Sequence, residues 1–461
     1  MIARILFAVA TSTVLIPIQT EAGTIPASSC SYTDVASAYD AASAGDTVTI
    51  PAGSCTWSST LTISKALTLK GAGSNSTIIT SNTSGRLVVI QASTDIPIRV
   101  TGLGFNLGST DNGKRAMHII NTSTNGTAVA LKQIRIDNNA ITGGGRYAVE
   151  FRGKIWGVFD HNTCTNVNVC VFTTGNSHYL WVGSWGDPSS ASSPGPKAGT
   201  SNALFIEDNT FLMTGPSTVA YDAPTYYQEG PIVVTRYNTF QSTIASPNFM
   251  TLALNDHANQ NYGIYPPYRN DLRGLPLHEF YNNTLSATRS HVMLGIRGGS
   301  FLIHNNTITC TSCGAIIQFS EEEAWQTAFF SPLRSVWPAQ DQIHNTFIWN
   351  NTVNGSPLTS IDWDDDCGTG GVKCSVFIQQ NRDYFMRAPQ ASGGREYFSG
   401  RPGGSSAPPT SSDGGTMIFT SSGANQYYPY TPFTYPHPLT QTVESTATTA
   451  PPAPTNLTVL P

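Results

Sequence analysis

Apolar and polar residues alternate along much of this chain in a short phrase that recurs and ends at an asparagine. Typical copies are FIEDNTF at 205–211, LIHNNTI at 302–308 and FIWNNTV at 347–353. The residues three positions before and two positions after the last Asn are mostly apolar, as Ile206 and Phe211 show. This period of two predicts β-strands with those positions pointing inward, whereas a helical repeat needs apolar residues three and four apart.

The repeated asparagines indicate the period of the fold. They are Asn139, Asn162, Asn209, Asn238, Asn283, Asn306 and Asn351. The successive gaps are 23, 47, 29, 45, 23 and 45 residues, which we interpret as one or two turns of a solenoid with one turn lengthened by a loop. Rungs of a β-solenoid stack about 4.8 Å apart. Equivalent asparagines are therefore expected to hydrogen-bond to one another as a ladder.

The two ends of the chain differ from the repeat. Residues 1–22 combine a basic residue, an apolar run and a final small residue, which predicts a secretory signal peptide rather than a membrane span. Within 23–45, apolar residues at helical spacing over 31–44 predict a short helix that caps the solenoid. The β-helix, with long loops, is expected over 46–440. Residues 441–461 are rich in Thr and Pro and are expected to form a disordered tail or linker.

The N-terminal segments and the repeats together resemble a known superfamily. A helix followed by AGDTVTIPAG and LTLKGAG, and then by HNT, DNT and NNT phrases, is similar to parallel β-helix proteins of the pectate-lyase-like superfamily. The resemblance is to secreted bacterial members without an assigned activity, and it implies an all-β, right-handed parallel β-helix. GVFDHN at 157–162 resembles the calcium-binding strand phrase of pectate lyases, which implies that Asp160 is a calcium ligand.

Composition and charge limit the classes of binding partner and the cellular compartment that fit this chain. A net charge of −5 without a run of Lys or Arg argues against nucleic acid. No stretch after the signal peptide is apolar enough to insert into a membrane. The mature protein is therefore expected to be a secreted, soluble monomer.

Eight cysteines in an oxidising compartment predict disulfides. They fall in sequence-local pairs, Cys30/Cys55, Cys164/Cys170, Cys310/Cys313 and Cys367/Cys374. We predict the first and last pairs as bridges. A buried free thiol is an alternative at Cys164, because that residue occupies an inward position.

Polar and aromatic residues recur two positions before each ladder Asn, where the strand pattern faces them to solvent. This outer row consists of Asp137, Asp160, Glu207, Arg236, Tyr281, His304 and Trp349. Aromatic rings stack on sugar faces, while Arg and carboxylates bind hydroxyl groups or uronates. The outer row therefore predicts a groove for an extended polysaccharide, although ordinary exposed polar positions are the alternative. The predicted substrate-binding residues are Asp137, Tyr281, His304 and Trp349.

A polysaccharide lyase needs a cation to neutralise a uronate carboxylate and a base to take the neighbouring proton. Residues that could do so concentrate around the long loop at 255–276. The candidate catalytic residues are Arg236, His257, Arg273, Glu279 and Arg297, with Arg269 and His278 nearby. The candidate calcium ligands are Asp160 and Glu207. The sequence thus predicts a protein that binds an acidic, uronate-containing polysaccharide and cleaves it by β-elimination.

Two other functions remain open from the sequence. An inverting glycoside hydrolase needs two carboxylates about 6.5–9.5 Å apart, and Asp160 and Glu207, interpreted as two turns apart, would be separated by roughly 10 Å. A non-catalytic glycan-binding, adhesin or structural solenoid is the second alternative, because the fold does not determine the function. We also expect Arg236 and Arg273 to be exposed, so that replacing either with Ala removes activity without unfolding the protein.

Overall fold

The computed structural model describes the chain in segments: 22–108, 114–124, 129–143, 147–174, 198–215, 223–228, 230–245, 251–257, 275–320, 343, 346–364, 374–376, 378–381, 383–389, 395–397, 418–420 and 430–441. Across these residues the chain forms a parallel β-helix built from two long sheets, with very little helix. Most coils contribute one strand to sheet A and two strands to sheet B. The predicted parallel β-helix is confirmed.

Sheet A has 12 strands, all paired in parallel with the strand of the next coil. They are Thr24–Pro26, Thr47–Ile50, Leu67–Gly71, Ile98–Thr101, Ile134–Asp137, Val158–Asp160, Leu204–Glu207, Ile232–Arg236, Leu275–Tyr281, Gly299–His304, Thr346–Trp349 and Tyr384–Phe385. Their inward side chains form one face of the hydrophobic core that runs through the coils.

Sheet B has 19 strands. They are Gly53–Trp57, Leu61–Ile63, Thr77–Ser81, Arg86–Ala92, Gly104–Asn106, Arg115–Asn121, Ala140–Thr142, Val149–Arg152, Thr163–Thr165, Val171–Thr174, Thr210–Met213, Thr225–Gln228, Thr239–Ser242, Thr251–His257, Thr284–Ile296, Thr307–Phe319, Thr352–Val353, Ser356–Pro357 and Asp362–Trp363. A separate antiparallel pair consists of Arg395–Tyr397 and Ile418–Thr420.

The predicted asparagine ladder lies where the chain passes from sheet A to sheet B. Nδ2 of Asn139 donates to Oδ1 of Asn162 at 3.1 Å, and the same bond continues coil by coil to Asn351. The residue before each ladder Asn has a φ of 52–59°. These residues are Asn138, His161, Asp208, Tyr237, Asn282, Asn305 and Asn350. This left-handed backbone makes the corner between the sheets, and most of these residues are of types that tolerate it.

The ladder corrects the predicted period. Asn162 and Asn209 bond directly although 47 residues separate them, and 45 residues separate Asn238 from Asn283, its bonded neighbour. The long gaps are therefore single coils enlarged by loops, because the ladder joins only neighbouring coils. Glu207 consequently lies on the strand next to Asp160, at a strand spacing of about 4.8 Å, and not two turns away.

A helix over Tyr32–Ala41 closes the N-terminal end, close to the predicted position. The Ser31 side chain accepts a hydrogen bond from the backbone nitrogen of Asp34 at 3.2 Å, which satisfies a free N–H of the first turn. Val35 and Ala38 are buried against the first strands. The helix therefore covers the hydrophobic core at the N-terminal end of the coils.

Three disulfides lie within the described residues: Cys30–Cys55, Cys164–Cys170 and Cys310–Cys313. The first confirms a predicted bridge, and the second excludes the free-thiol alternative at Cys164. Cys374 is also disulfide-bonded, while its predicted partner Cys367 falls outside the described residues. So do residues 1–21 of the predicted signal peptide and residues 442–461 of the predicted tail. None of the described helices is long and apolar enough to cross a membrane.

Residues 430–441, which we call the C-terminal strap, lie across the outer face of sheet A. The strap ends in a 3-10 turn at Pro438–Gln441. Beneath it is an apolar cluster separate from the core, whose buried members are Val158, Ala203, Phe205, Ile232, Val234, Leu277, Tyr281, Leu302, Phe347 and Phe385. Tyr430, Phe433 and Leu439 of the strap pack against this cluster. The outer face of sheet A is therefore an interior surface here.

Candidate functional site

The structure buries the outer row that the sequence predicts as an open groove. Six members are at most 3% exposed: Asp137, Asp160, Glu207, Arg236, Tyr281 and His304. The seventh, Trp349, is partly exposed. The register is as predicted, but the prediction that the row faces solvent is wrong. An alternating pattern shows that a side chain leaves the coil interior, and it carries no information on what later packs against it.

Arg236, a predicted catalytic residue, is enclosed by hydrogen-bond acceptors. Its Nε donates to Oε2 of Glu207 at 2.7 Å, and its Nη1 donates to the hydroxyl of Tyr281 at 2.9 Å. Two further bonds of 2.6 and 2.9 Å go to the backbone carbonyls of Phe433 and Thr434 in the strap. Arg236 is 0% exposed, so the prediction of an exposed arginine is wrong.

Asp160 and Glu207 do not fit a calcium site. Asp160 accepts hydrogen bonds from Nε and Nη2 of Arg135 at 3.1 and 2.8 Å. Glu207 is bound by Arg236 and also accepts from the backbone nitrogen of His437 at 2.8 Å. A guanidinium group therefore lies where a calcium ion would have to bind. No three His, Cys, Asp or Glu side chains among the described residues are grouped so that they could hold a metal ion.

Asp137 and Glu279 are likewise fully engaged. Asp137 accepts from Nε and Nη2 of Arg99 at 2.7 and 2.6 Å. Glu279 accepts from the backbone nitrogen of Gly199 at 2.8 Å and from the hydroxyl of Tyr430 at 2.7 Å. Burial raises the pKa of Glu279. Asp137 therefore joins neighbouring coils of sheet A, and Glu279 joins sheet A to the strap.

The aromatic members of the outer row stack on each other. The ring of His304 lies between Tyr281 and Trp349, at centroid distances of 4.7 and 4.2 Å. Its Nε2 is 3.2 Å from the hydroxyl of Tyr430. Burial lowers the pKa of His304 to about 3. The ring of His304 therefore has no free face for a sugar, because Tyr281 covers one side and Trp349 the other.

The described residues among the remaining predictions lie apart from Arg236. Outside the described residues lie Arg269 and Arg273. His278 is buried inside the coils, with Nε2 3.0 Å from the hydroxyl of Thr235. His257 ends a strand of sheet B, and Arg297 directly follows the strand Thr284–Ile296 of the same sheet. The structure therefore separates His257 and Arg297 from Arg236 on sheet A.

A different group of charged residues occupies the outer face of sheet B. We call it the cationic cluster, and it consists of Arg86, Arg115, His118, Glu150 and Arg152. His118 is in register with Glu150 on the next strand. Oε2 of Glu150 lies 2.8 Å from Nε of Arg115 and 3.5 Å from Nε2 of His118. Unlike Arg236, the three arginines of this cluster are partly exposed, so a ligand can reach them.

His118 is a neutral imidazole at neutral pH. Burial, followed by the positive charges of Arg86, Arg115 and Arg152, lowers its pKa to about 3. Neither ring nitrogen of His118 makes a hydrogen bond within the described structure, and the same holds for Nε of Arg86. Buried polar atoms nearly always have partners. Three such atoms in one cluster, beside a strongly shifted pKa, therefore indicate a functional site.

Aromatic rings and a local excess of positive charge surround the cationic cluster. Tyr147 stacks on Phe172 at 3.9 Å, and Phe172 lies 5.6 Å from Tyr226. Residues 86–156 contain nine Lys and Arg but only four Asp and Glu, a net charge of +5 in a chain whose total is −5. Tyr147 is partly exposed and its ring centroid lies 5.8 Å from Cζ of Arg115, an arrangement that suits an anionic sugar.

The cationic cluster is not apparent from the asparagine repeat, although a sequence signal for it exists. Polar and apolar residues alternate in MHI at 117–119 and in VEFR at 149–152. These strands carry no ladder asparagine, so the repeat does not align them. Aligning this second strand of each coil would have placed His118 beside Glu150.

Buried neutral histidines make this fold sensitive to acid. Burial lowers the pKa to about 3 or about 4 in four of them: His118, His278, His304 and His437. Between those values and the unfolded pKa of about 6.5, the unfolded chain binds protons that the folded chain excludes. The free energy of unfolding is therefore expected to fall as pH drops through this window, by about 1.4 kcal/mol per pH unit for each such histidine. Glu207, Glu279 and His161 oppose the trend and reduce the net slope, because their pKa values are raised.

Denaturant titrations between about pH 7.5 and pH 5 would measure this slope. Replacing His118 with Gln should make the slope shallower. Replacing the exposed His291 with Gln should leave it unchanged. A free energy of unfolding that stays constant or rises on acidification would contradict the prediction.

Comparisons with known proteins add fold-level similarity only. No protein family and no curated protein matches this sequence. An alginate lyase from Paenibacillus sp. str. FPU-7 is similar with a TM-score of 0.36 and 12% identity, over 62% of this chain and 94% of that one. The catalytic domain of a GH87 alpha-1,3-glucanase in complex with nigerose is similar with a TM-score of 0.27 and 11% identity, over 79% of this chain and 69% of that one. The strand register itself defines the fold, and the function has to be argued from the side chains.

Proposed function

We propose that this protein is an extracellular polysaccharide lyase that binds an acidic, uronate-containing glycan at the cationic cluster and cleaves it by β-elimination. The observation that supports this most directly is the buried, neutral His118 among three partly exposed arginines. Guanidinium groups bind carboxylates in a planar, charge-assisted geometry. A neutral imidazole can take the proton beside such a carboxylate.

An extracellular location is part of the proposal. The three described disulfides are of a kind that forms in oxidising compartments. Residues 1–22 have the pattern of an export signal. Outside the cell, the protein would meet the acidic polysaccharides that the cationic cluster suits.

The elimination requires two side-chain roles. The arginines of the cluster pair with the uronate carboxylate and draw electron density from the neighbouring C5. His118 takes the C5 proton, the C5–H electron pair forms the C4–C5 double bond, and the C4–O4 bond breaks. O4 leaves with the bond pair and takes a proton from water, while the imidazolium returns its proton to solvent. No oxidant, reductant or metal ion is needed for this balance.

Substrate binding would also raise the pKa of His118, the proposed base. The charges of Arg86, Arg115 and Arg152 hold the pKa of His118 low. A bound carboxylate offsets part of that charge, so the pKa of His118 rises in the complex. The imidazole is then a stronger base, and it still carries no proton at neutral pH as long as its pKa stays below 7.

The other two functions have weaker support. An inverting hydrolase needs a pair of carboxyl groups, but Glu150 is the one carboxylate that contacts the arginines of the cationic cluster among the described residues. The pair suggested by the sequence, Asp160 and Glu207, is bound to arginines under the strap. A glycan-binding protein without activity would use the same arginines, and the experiment below separates it from a lyase.

Replacing His118 with Gln is expected to lower turnover of an acidic glycan by about 10²–10⁴-fold, the usual contribution of a general base. Binding of the glycan should persist, because the arginines remain. Replacing Arg115 with Gln should weaken binding as well as turnover. The measurement is the ultraviolet absorbance of unsaturated uronate ends, with alginate, polygalacturonate and glucuronan as substrates and calorimetry for binding.

Replacing Arg289 with Gln is the matched control, since it removes an exposed arginine from another part of sheet B. Unchanged turnover in the His118 variant would overturn the assigned base. Binding of these glycans without any unsaturated product would instead identify a binding protein. Absence of both binding and turnover would overturn the proposal.

A further inference from the structure

Two lysines converge on one tryptophan at the turn that follows the cationic cluster. Nζ of Lys132 lies 5.2 Å and Nζ of Lys154 lies 4.8 Å from the ring centroid of Trp156. Lys132 is exposed, and the other two residues are partly exposed. Trp156 occupies the turn between the strand Val149–Arg152 of sheet B and the strand Val158–Asp160 of sheet A.

The positions of these lysines are held by the backbone. The backbone nitrogen of Leu131 donates to the carbonyl of Lys154 at 3.0 Å, and the nitrogen of Trp156 donates to the carbonyl of Leu131 at 2.7 Å. Nδ2 of Asn121 also donates to the carbonyl of Lys154, at 2.9 Å. Asn121 ends the strand that carries His118. The two lysine-bearing segments are therefore paired with each other and tied to the strand of the catalytic base.

The two ammonium groups lack a neutralising carboxylate within the described structure. The ion pairs of the described residues do not include Lys132 or Lys154. The Asp95 carboxylate accepts from the backbone nitrogens of Lys132 and Gln133 through Oδ1, and it is not among the ion-paired groups of the described residues. Two like charges beside one ring repel each other, and the cation–π attraction offsets this in part. An anion between the ammonium groups would relieve the repulsion.

We propose that Lys132, Lys154 and Trp156 form a second binding position, for another carboxylate of the same acidic glycan that occupies the cationic cluster. The inference rests on the proposed function. Trp156 follows Arg152 by four residues, so the two Cα atoms are at most about 14 Å apart. A glycan that extends past Arg152 along this turn meets the lysines with its next uronate residues, and the indole edge offers an apolar contact to the sugar ring. The ligand is thus a chain with repeated carboxylates.

The test compares long and short ligands. The double variant Lys132→Gln with Lys154→Gln should bind a long oligouronate roughly tenfold more weakly than the unaltered protein, and should bind the shortest oligouronate that the protein recognises equally well. The turnover number at saturation should not change, because these lysines do not touch the reacting atoms. Calorimetry with oligouronates of increasing length gives the affinities.

The control is the double variant Lys65→Gln with Lys70→Gln. It removes two positive charges from early coils, including a lysine 4.4 Å from the Tyr39 ring, and should leave affinities for all lengths unchanged. If the Arg115→Gln variant loses binding but the Lys132/Lys154 variant matches this control, the second position is refuted and the proposed function stands. If Arg115→Gln also keeps full binding, both proposals fail.

Discussion

A chain ended before Tyr430 is expected to be insoluble, or to unfold at a much lower denaturant concentration than the full chain. The loss uncovers the apolar cluster on the outer face of sheet A, which includes Phe205 and Val234. It also removes the strap carbonyls that accept hydrogen bonds from Arg236 and Arg135. Hydrogen bonds to charged groups contribute about 1.5–3 kcal/mol each, so several losses together rival the stability of a typical domain, about 5–15 kcal/mol.

The matched control is a chain ended before Thr442, which keeps the whole strap. Soluble yield, circular dichroism and the denaturation midpoint should match those of the full chain. A chain ended before Tyr430 that folds with an unaltered midpoint would contradict the assignment of the outer face of sheet A as an interior surface.

Replacing Arg236 with Met is expected to destabilise the protein by about 3–5 kcal/mol, because it leaves the Glu207 carboxylate buried without its charged partner. Replacing Glu207 with Leu should cost a similar amount for the converse reason. The double variant should be more stable than the sum of the two losses predicts, since it leaves neither charge unpaired. Loss of activity in the Arg236 variant would follow from unfolding, in contrast to the expectation from sequence.

Urea or guanidinium titration of the four proteins measures this coupling. Replacing the exposed Arg289 with Met is the control for loss of an arginine, and it should change the free energy of unfolding by less than about 0.5 kcal/mol. Additive losses in the double variant would show that Arg236 and Glu207 do not depend on each other. A stable Arg236 variant would restore the sequence-based expectation.

The cationic cluster could be predicted from the sequence only in part. Its residues alternate with apolar neighbours, as His118 does in MHII, so the sequence indicates that they leave the core. Their convergence depends on the register that pairs His118 with Glu150, and the ladder asparagines do not mark that strand. The aromatic border at Phe172 likewise follows from stacking of coils, and no spacing within one coil reveals it.

The sequence by itself determined the parallel β-helix, its asparagine ladder and the inward and outward positions of each strand in sheet A. A solenoid is stabilised by contacts between neighbouring coils, so its requirements recur at short intervals along the chain. The tertiary structure alone decided which outward face stays open. Phe433 contacts Arg236 across 197 residues and Leu439 contacts Arg135 across 304 residues, both through backbone carbonyls. A backbone carbonyl is common to every residue, so the sequence carries no sign that the strap would cover sheet A.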